Sequence, residues 1–113
     1  MSAVLDMGDG RQLLLDEYGH LQNRTDWSRA VADRMSELDG IELEAGHWHV
    51  IDIMHEYYDE AGIEPPMRIL CARLKGRGAG AIANSLELYR LFPEGPVRQA
   101  SRYGGLPIPV SCI

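Results

Sequence analysis

Two short apolar stretches, Ala3-Val4-Leu5 and Gln12-Leu13-Leu14-Leu15, flank the turn-forming cluster Gly8-Asp9-Gly10. Strand-length apolar runs on either side of glycines predict a β-hairpin at the start of the chain. After Asp16-Glu17-Tyr18-Gly19-His20 the period changes. Trp27, Val31, Met35 and Leu38 recur at helical spacing, with Thr25 or Asp26 placed to cap the helix and Gly40 to end it. The strongest helical signal lies over residues 44–61, where Trp48, Ile51, Met54 and Tyr58 form one stripe and Val50, Tyr57 and Ala61 another beside it. So broad an apolar face predicts a central helix, closed by Gly62.

Pro65-Pro66 opens a third helix, as prolines do in a first turn. Met67, Leu70, Cys71 and Leu74 follow at i, i+3, i+4 and i+7, which puts Cys71 on the expected core stripe. Gly76-Arg77-Gly78-Ala79-Gly80 reads as a flexible connection; it follows a helix and lacks the Lys-Ser/Thr ending of a phosphate-binding loop. A fourth helix is predicted over residues 82–91 with Leu86, Tyr89 and Leu91 partly buried, and a short fifth over residues 97–103 after the stop Phe92-Pro93-Glu94-Gly95-Pro96. Residues 104–113 contain two glycines and alternating prolines and cannot form a regular helix. The fold expected is mainly α: residues 1–103 as one compact bundle of about five helices with a small N-terminal β-hairpin, then an extended, flexible C-terminal arm over residues 104–113. Its prolines stiffen the arm, and Gly104 and Gly105 are the expected hinge.

A length of 113 residues, 45% of them hydrophobic and 25% charged, allows one domain with one modest core. Little volume is left for an internal cavity, so chemistry is expected near the surface. The net charge of −6 is unevenly spread: residues 1–66 hold 15 acidic and 4 basic residues, residues 67–113 hold 2 acidic and 7 basic. The acidic total argues against direct nucleic-acid binding. The basic half, which includes Arg90, Arg98 and Arg102, is also the half that carries Cys112.

Two cysteines, Cys71 and Cys112, are too few and too far apart for a secreted disulfide framework. With no signal-peptide pattern and no apolar run of about eighteen residues, the expected location is cytoplasmic, with no membrane association. Cys112, second to last in the sequence, is accessible by position and is the candidate nucleophile; Cys71 is expected to be structural. A carboxylate at the end of the sequence would disfavour a thiolate beside it, so basic residues of the body or of a partner are expected to offset it. His20, His47, His49 and His55 lack metal-ligand spacing, since His47 and His49 point about 200° apart on a helix. Neither a metal nor a cofactor is expected.

The stretch Asn84-Ser85-Leu86-Glu87-Leu88-Tyr89-Arg90-Leu91-Phe92-Pro93-Glu94-Gly95-Pro96, then Gln99 and Gly105-Leu106-Pro107-Ile108-Pro109-Val110-Ser111-Cys112-Ile113, resembles the DsrC/TusE family of sulfur relay proteins. Asp26-Trp27, Gly40-Ile41-Glu42-Leu43, His47-Trp48, Tyr57-Tyr58, Pro66 and Arg68 add to a resemblance that spans nearly the whole chain. It implies a sulfur carrier rather than a stand-alone enzyme. Cys112 would accept sulfane sulfur as a persulfide, and Arg102, Arg98 and Arg90 would assist thiolate formation or docking. The implied donors are TusBCD-like or DsrEFH-like sulfurtransferases. The implied acceptor is a tRNA-thiolating enzyme or another protein of a sulfur-trafficking pathway.

Members of the DsrC type carry a second cysteine eleven positions before the penultimate one, where this chain has Ser101. That departure favours a single-thiol carrier over a partner of dissimilatory sulfite reductase. Ile108, Val110, Ser111 and Glu94 stand where the family usually has Lys, Thr, Gly and Gly, so the surface a partner grips is altered. A regulatory or DNA-binding module is the rival of another class, disfavoured because no basic recognition helix is present.

Overall fold

A computed structural model describes residues 3–112. Gly8 and Gly10, with φ of 81° and 94°, reverse the chain so that β1 (Ala3–Asp6) pairs antiparallel with β2 (Gln12–Leu15), Ala3 opposite Leu15 and Asp6 opposite Gln12. Alternation then decides the faces. Leu5, Leu13 and Leu15 turn toward the core, while Val4 and Leu14, directly opposite each other, are exposed.

The first helix begins later than its periodicity suggests. Arg24–Asp26 forms a separate 3-10 turn capped by Asn23, which accepts from Thr25 N, and Trp27 is extended (φ −74°, ψ 141°). Helix α1 (Arg29–Leu38) starts only after Ser28, so neither Thr25 nor Asp26 caps it. The break at Trp27 points its indole into the body instead of along a helix face.

Helix α2 (Ala45–Ala61) is central, as its broad face predicts: Val50, Ile51, Ile53 and Met54 are wholly buried, and α3 and α5 pack against it. Gly62 ends it with φ 70°. On α3 (Met67–Gly76), Leu70 and Leu74 are buried, but Cys71 sits at the border of the stripe and is half-buried.

Helix α4 (Ser85–Leu91) is shorter than expected, because Asn84 caps it by accepting from Glu87 N at 2.9 Å and Gly80–Ile82 forms its own 3-10 turn. Its buried face also differs. Leu88 and Leu91 are buried, whereas Leu86 is 81% and Tyr89 53% exposed. Two apolar residues at i and i+3 satisfy so short a helix, and Leu86 projects from the other side.

Helix α5 (Pro96–Tyr103) opens with proline in its first turn and buries Gln99, Ala100, Ser101 and Tyr103. The five helices and the hairpin are those expected. In the segment after them Gly104 and Gly105 are buried, Leu106 and Ile108 are 1% and 8% exposed, and Pro107 and the 3-10 turn Val110–Cys112 lie open. The apolar side chains in this stretch complete the core.

The register of α4 gives a direct check. Leu88→Ala should cost about 2–5 kcal/mol of unfolding free energy in urea, while Leu86→Ala should stay within about 0.5 kcal/mol. Equal losses would contradict the assigned face.

Candidate functional site: an exposed thiol at the end of an anchored segment

Helix α5 ends inside the protein, and its last carbonyls all find donors. Ala100 O accepts from Gly104 N at 2.9 Å, Ser101 O from Leu106 N at 2.9 Å, and Arg102 O from Gly105 N at 3.3 Å. The carbonyls that follow are taken by ring N–H groups from three other parts of the chain. Trp27 Nε1 donates to Tyr103 O at 2.7 Å, His55 Nε2 to Gly104 O at 2.7 Å, and His20 Nδ1 to Leu106 O at 2.9 Å. The Trp27 and His55 rings also meet edge to face, 4.5 Å between centroids.

The hinge expected at Gly104 and Gly105 falls on this closely packed stretch. Gly105 has φ 71°, and a Cβ there would stand 2.6 Å from the Trp27 ring; a Cβ on Gly104 would lie 3.0 Å from Ala100 O and 3.1 Å from His55 Nε2. Both glycines are required for close approach of the backbone to Trp27 and His55.

Cys112 lies beyond this anchor and is exposed; its N–H donates to Pro109 O at 2.9 Å, and the N–H of Ser111 donates to Glu64 Oε1 at 3.3 Å. The thiol opens on a cleft of about 620 Å³. Tyr57, the α2–α3 connection from Ile63 to Met67, Tyr89 and the stretch from Glu94 to Arg98 line it, with Ser111 and Cys112.

The three arginines singled out from the sequence do not gather at the thiol. Arg98 lines the cleft, together with Glu64 and Glu94. Arg102 pairs with Asp39 and, at 3.7 Å, with Glu94. Arg90 pairs with Glu87 at 2.7 Å and Glu44 at 3.4 Å. Arg102 lines instead a second, polar hollow with Tyr18, Asp39 and Gln99. There Tyr103 Oη donates to Asp39 Oδ2 at 2.6 Å and accepts from Gln99 Nε2 at 2.9 Å. Burial, then the Asp39 carboxylate, push the Tyr103 hydroxyl up, so it stays protonated as a donor.

Sequence reasoning missed what the histidines do. Three of the four hold backbone carbonyls rather than ligands. His47 Nε2 donates to Leu91 O at 2.7 Å while its Nδ1 accepts from Glu44 N at 3.0 Å, an arrangement only the neutral ring permits. His20 is fully buried, and its Nε2 has no hydrogen-bond partner among the described residues. Burial lowers both pKa values below the ordinary histidine value, against the opposing pull of the carbonyls. These partners lie 44 to 86 residues away in sequence, so no local pattern could have marked them.

A hairpin-fronted helical domain that anchors its last segment and exposes one thiol beside a cleft defines the class. The DsrC like protein family model matches residues 7–113. The protein named Sulfurtransferase TusE in Yersinia pseudotuberculosis is 41% identical over 105 residues, covering 93% of this chain and 97% of its own. Its namesake in Salmonella typhimurium is 40% identical, with 93% and 96% covered. The NMR structure of Allochromatium vinosum DsrC superposes with a TM-score of 0.84 at 41% identity over all of both chains. The crystal structure of the oxidized gamma-subunit of the dissimilatory sulfite reductase (DsrC) from Archaeoglobus fulgidus does so with 0.84 at 34% identity, covering 98% and 100%. The chain belongs to the DsrC-like protein family.

The neutral histidines set a pH dependence. A histidine whose folded pKa lies below its unfolded value binds protons more readily when unfolded, so stability is whole above about pH 6.5 and falls as pH drops through the window beneath it. Urea unfolding from pH 8 to pH 5 should show this loss. His20→Gln should be less stable at pH 8 but lose less on acidification; an unchanged acid slope would contradict a neutral buried His20.

Proposed function

We propose that this protein is a sulfur carrier of a relay system, with Cys112 as its persulfide-bearing residue. The observation that carries the reading is the exposed thiol at the tip of an anchored segment, in a chain whose relatives are named sulfurtransferases. The thiolate of Cys112 attacks the outer sulfur of a donor persulfide. The donor's S–S bond breaks, the donor leaves as a thiolate, and Cys112 becomes a persulfide with no net oxidation. Hand-over to an acceptor thiol repeats the step in reverse.

Such a transfer needs a sulfur that enters another protein's active site, which an exposed tip permits and a buried thiol does not. Arg98 is the basic group of the cleft that can favour the thiolate or grip the partner; with Glu64 and Glu94 beside it, the partner supplies the remaining positive charge. Ser101 is 1% exposed on α5 and Cys71 half-buried on α3, so one thiol works alone. That supports a TusE-like role, with a TusBCD-like or DsrEFH-like donor and a tRNA-thiolating acceptor in the cytoplasm, over the sulfite-reductase role named for the Archaeoglobus fulgidus relative. No helix among the described residues is long and apolar enough to cross a membrane.

Incubation with a protein persulfide donor, followed by intact-mass spectrometry, tests the reading. The unaltered chain and Cys71→Ser should each gain the mass of one sulfur atom, removable by a reductant, and Cys112→Ser should gain none. An adduct retained in Cys112→Ser would overturn the assignment.

A further inference from the structure

We propose that Trp27, His55 and His20 are positioning residues that set how far, and in which direction, Cys112 can reach. The inference rests on the carrier role of Cys112 but concerns residues remote from the thiol in sequence. Each donates a ring N–H to a carbonyl within the four residues from Tyr103 to Leu106, and each comes from a different element: the extended link before α1, the middle of α2, and the turn after β2. A ring N–H moves on only two side-chain torsions, so three of them fix a backbone segment more firmly than flexible donors would.

Reach follows from where the chain is pinned. Measured from Leu106, six residues lead to Cys112, a tether of at most about 20 Å when extended; released back to Tyr103, nine residues would span about 30 Å. The anchored segment therefore confines the thiol to the neighbourhood of the cleft and to partners whose acceptor sulfur lies shallow enough to meet it. Gly104 and Gly105 belong to the same device, since any Cβ would drive the chain away from His55 and Trp27.

A nitroxide on Cys112, in a Cys71→Ser background, reports position without any partner. In the otherwise unaltered chain its paramagnetic broadening should centre on amides around the cleft, Tyr57 and Tyr89 among them. His55→Ala should raise the released population about fivefold, the expected consequence of one lost hydrogen bond, so that broadening weakens at the cleft and spreads elsewhere. His55→Gln, which restores an N–H donor, should return the cleft-centred pattern. Trp27→Phe keeps an aromatic ring at this position while removing the N–H, and serves if His55→Ala does not fold. A pattern unchanged in Trp27→Phe and His55→Ala would overturn the inference, as would failure of His55→Gln to restore it. Sulfur uptake by the unlabelled chain is scored separately by mass: its absence would sink the carrier role and leave the positional result standing.

Discussion

A helix that ends in a protein interior leaves its last carbonyls without intrahelical donors, and burying them unpaired is costly. Helix α5 ends in this way, and much of the structure is arranged to answer it. Local backbone N–H groups satisfy three carbonyls, and the indole of Trp27 satisfies Tyr103 O. His55 and His20 then carry the same solution past the helix to Gly104 and Leu106. Because these donors come from the link before α1, from α2 and from the turn after β2, the end of the chain is tied to the body at several points. The break in the chain at Trp27, the two glycines and the burial of Leu106 are all consequences of that requirement.

Charge is organised by the same closure. The acidic first half and basic second half of the sequence are brought face to face: Arg73 pairs with Glu60, Arg77 with Asp52 and Glu56, Arg90 with Glu44, and Arg102 with Asp39. Most of these pairs are solvent-exposed and add little stability each. Their effect is to offset part of the positive charge of the second half, which a nucleic-acid binder would keep free. Arg98, in the cleft, makes no ion pair among the described residues.

Periodic elements were legible in the sequence because their signal is local. The alternation around Gly8 and Gly10, the double stripe of α2 and the proline-led start of α5 each state their structure within one element. The misreadings fell where tertiary partners decide. Thr25 and Asp26 look like caps, but Trp27 must leave the helix to reach Tyr103 O. Leu86 looks buried on composition, yet α4 is too short to bury more than Leu88 and Leu91. Gly104 and Gly105, expected as a hinge, also serve the other property of glycine, the lack of a Cβ, which depends on partners far along the chain. Cys112 could be picked out from its place in the sequence and from family resemblance, whereas the histidine and tryptophan donors could not, their partners lying far along the chain.

For sulfur transfer the outcome is a division of labour. The segment from Tyr103 to Leu106 is held by the body, and the exposed turn Val110–Cys112 carries the thiol proposed to bear the sulfur. Amide hydrogen exchange of the unaltered chain, followed residue by residue through NMR, tests that division most directly. The account predicts that the amide of Leu106, bonded to Ser101 O, is protected to a degree comparable with α5, while Val110 and Ser111 exchange fast. Fast exchange beginning at Gly104 and running through Cys112 without a step would contradict it.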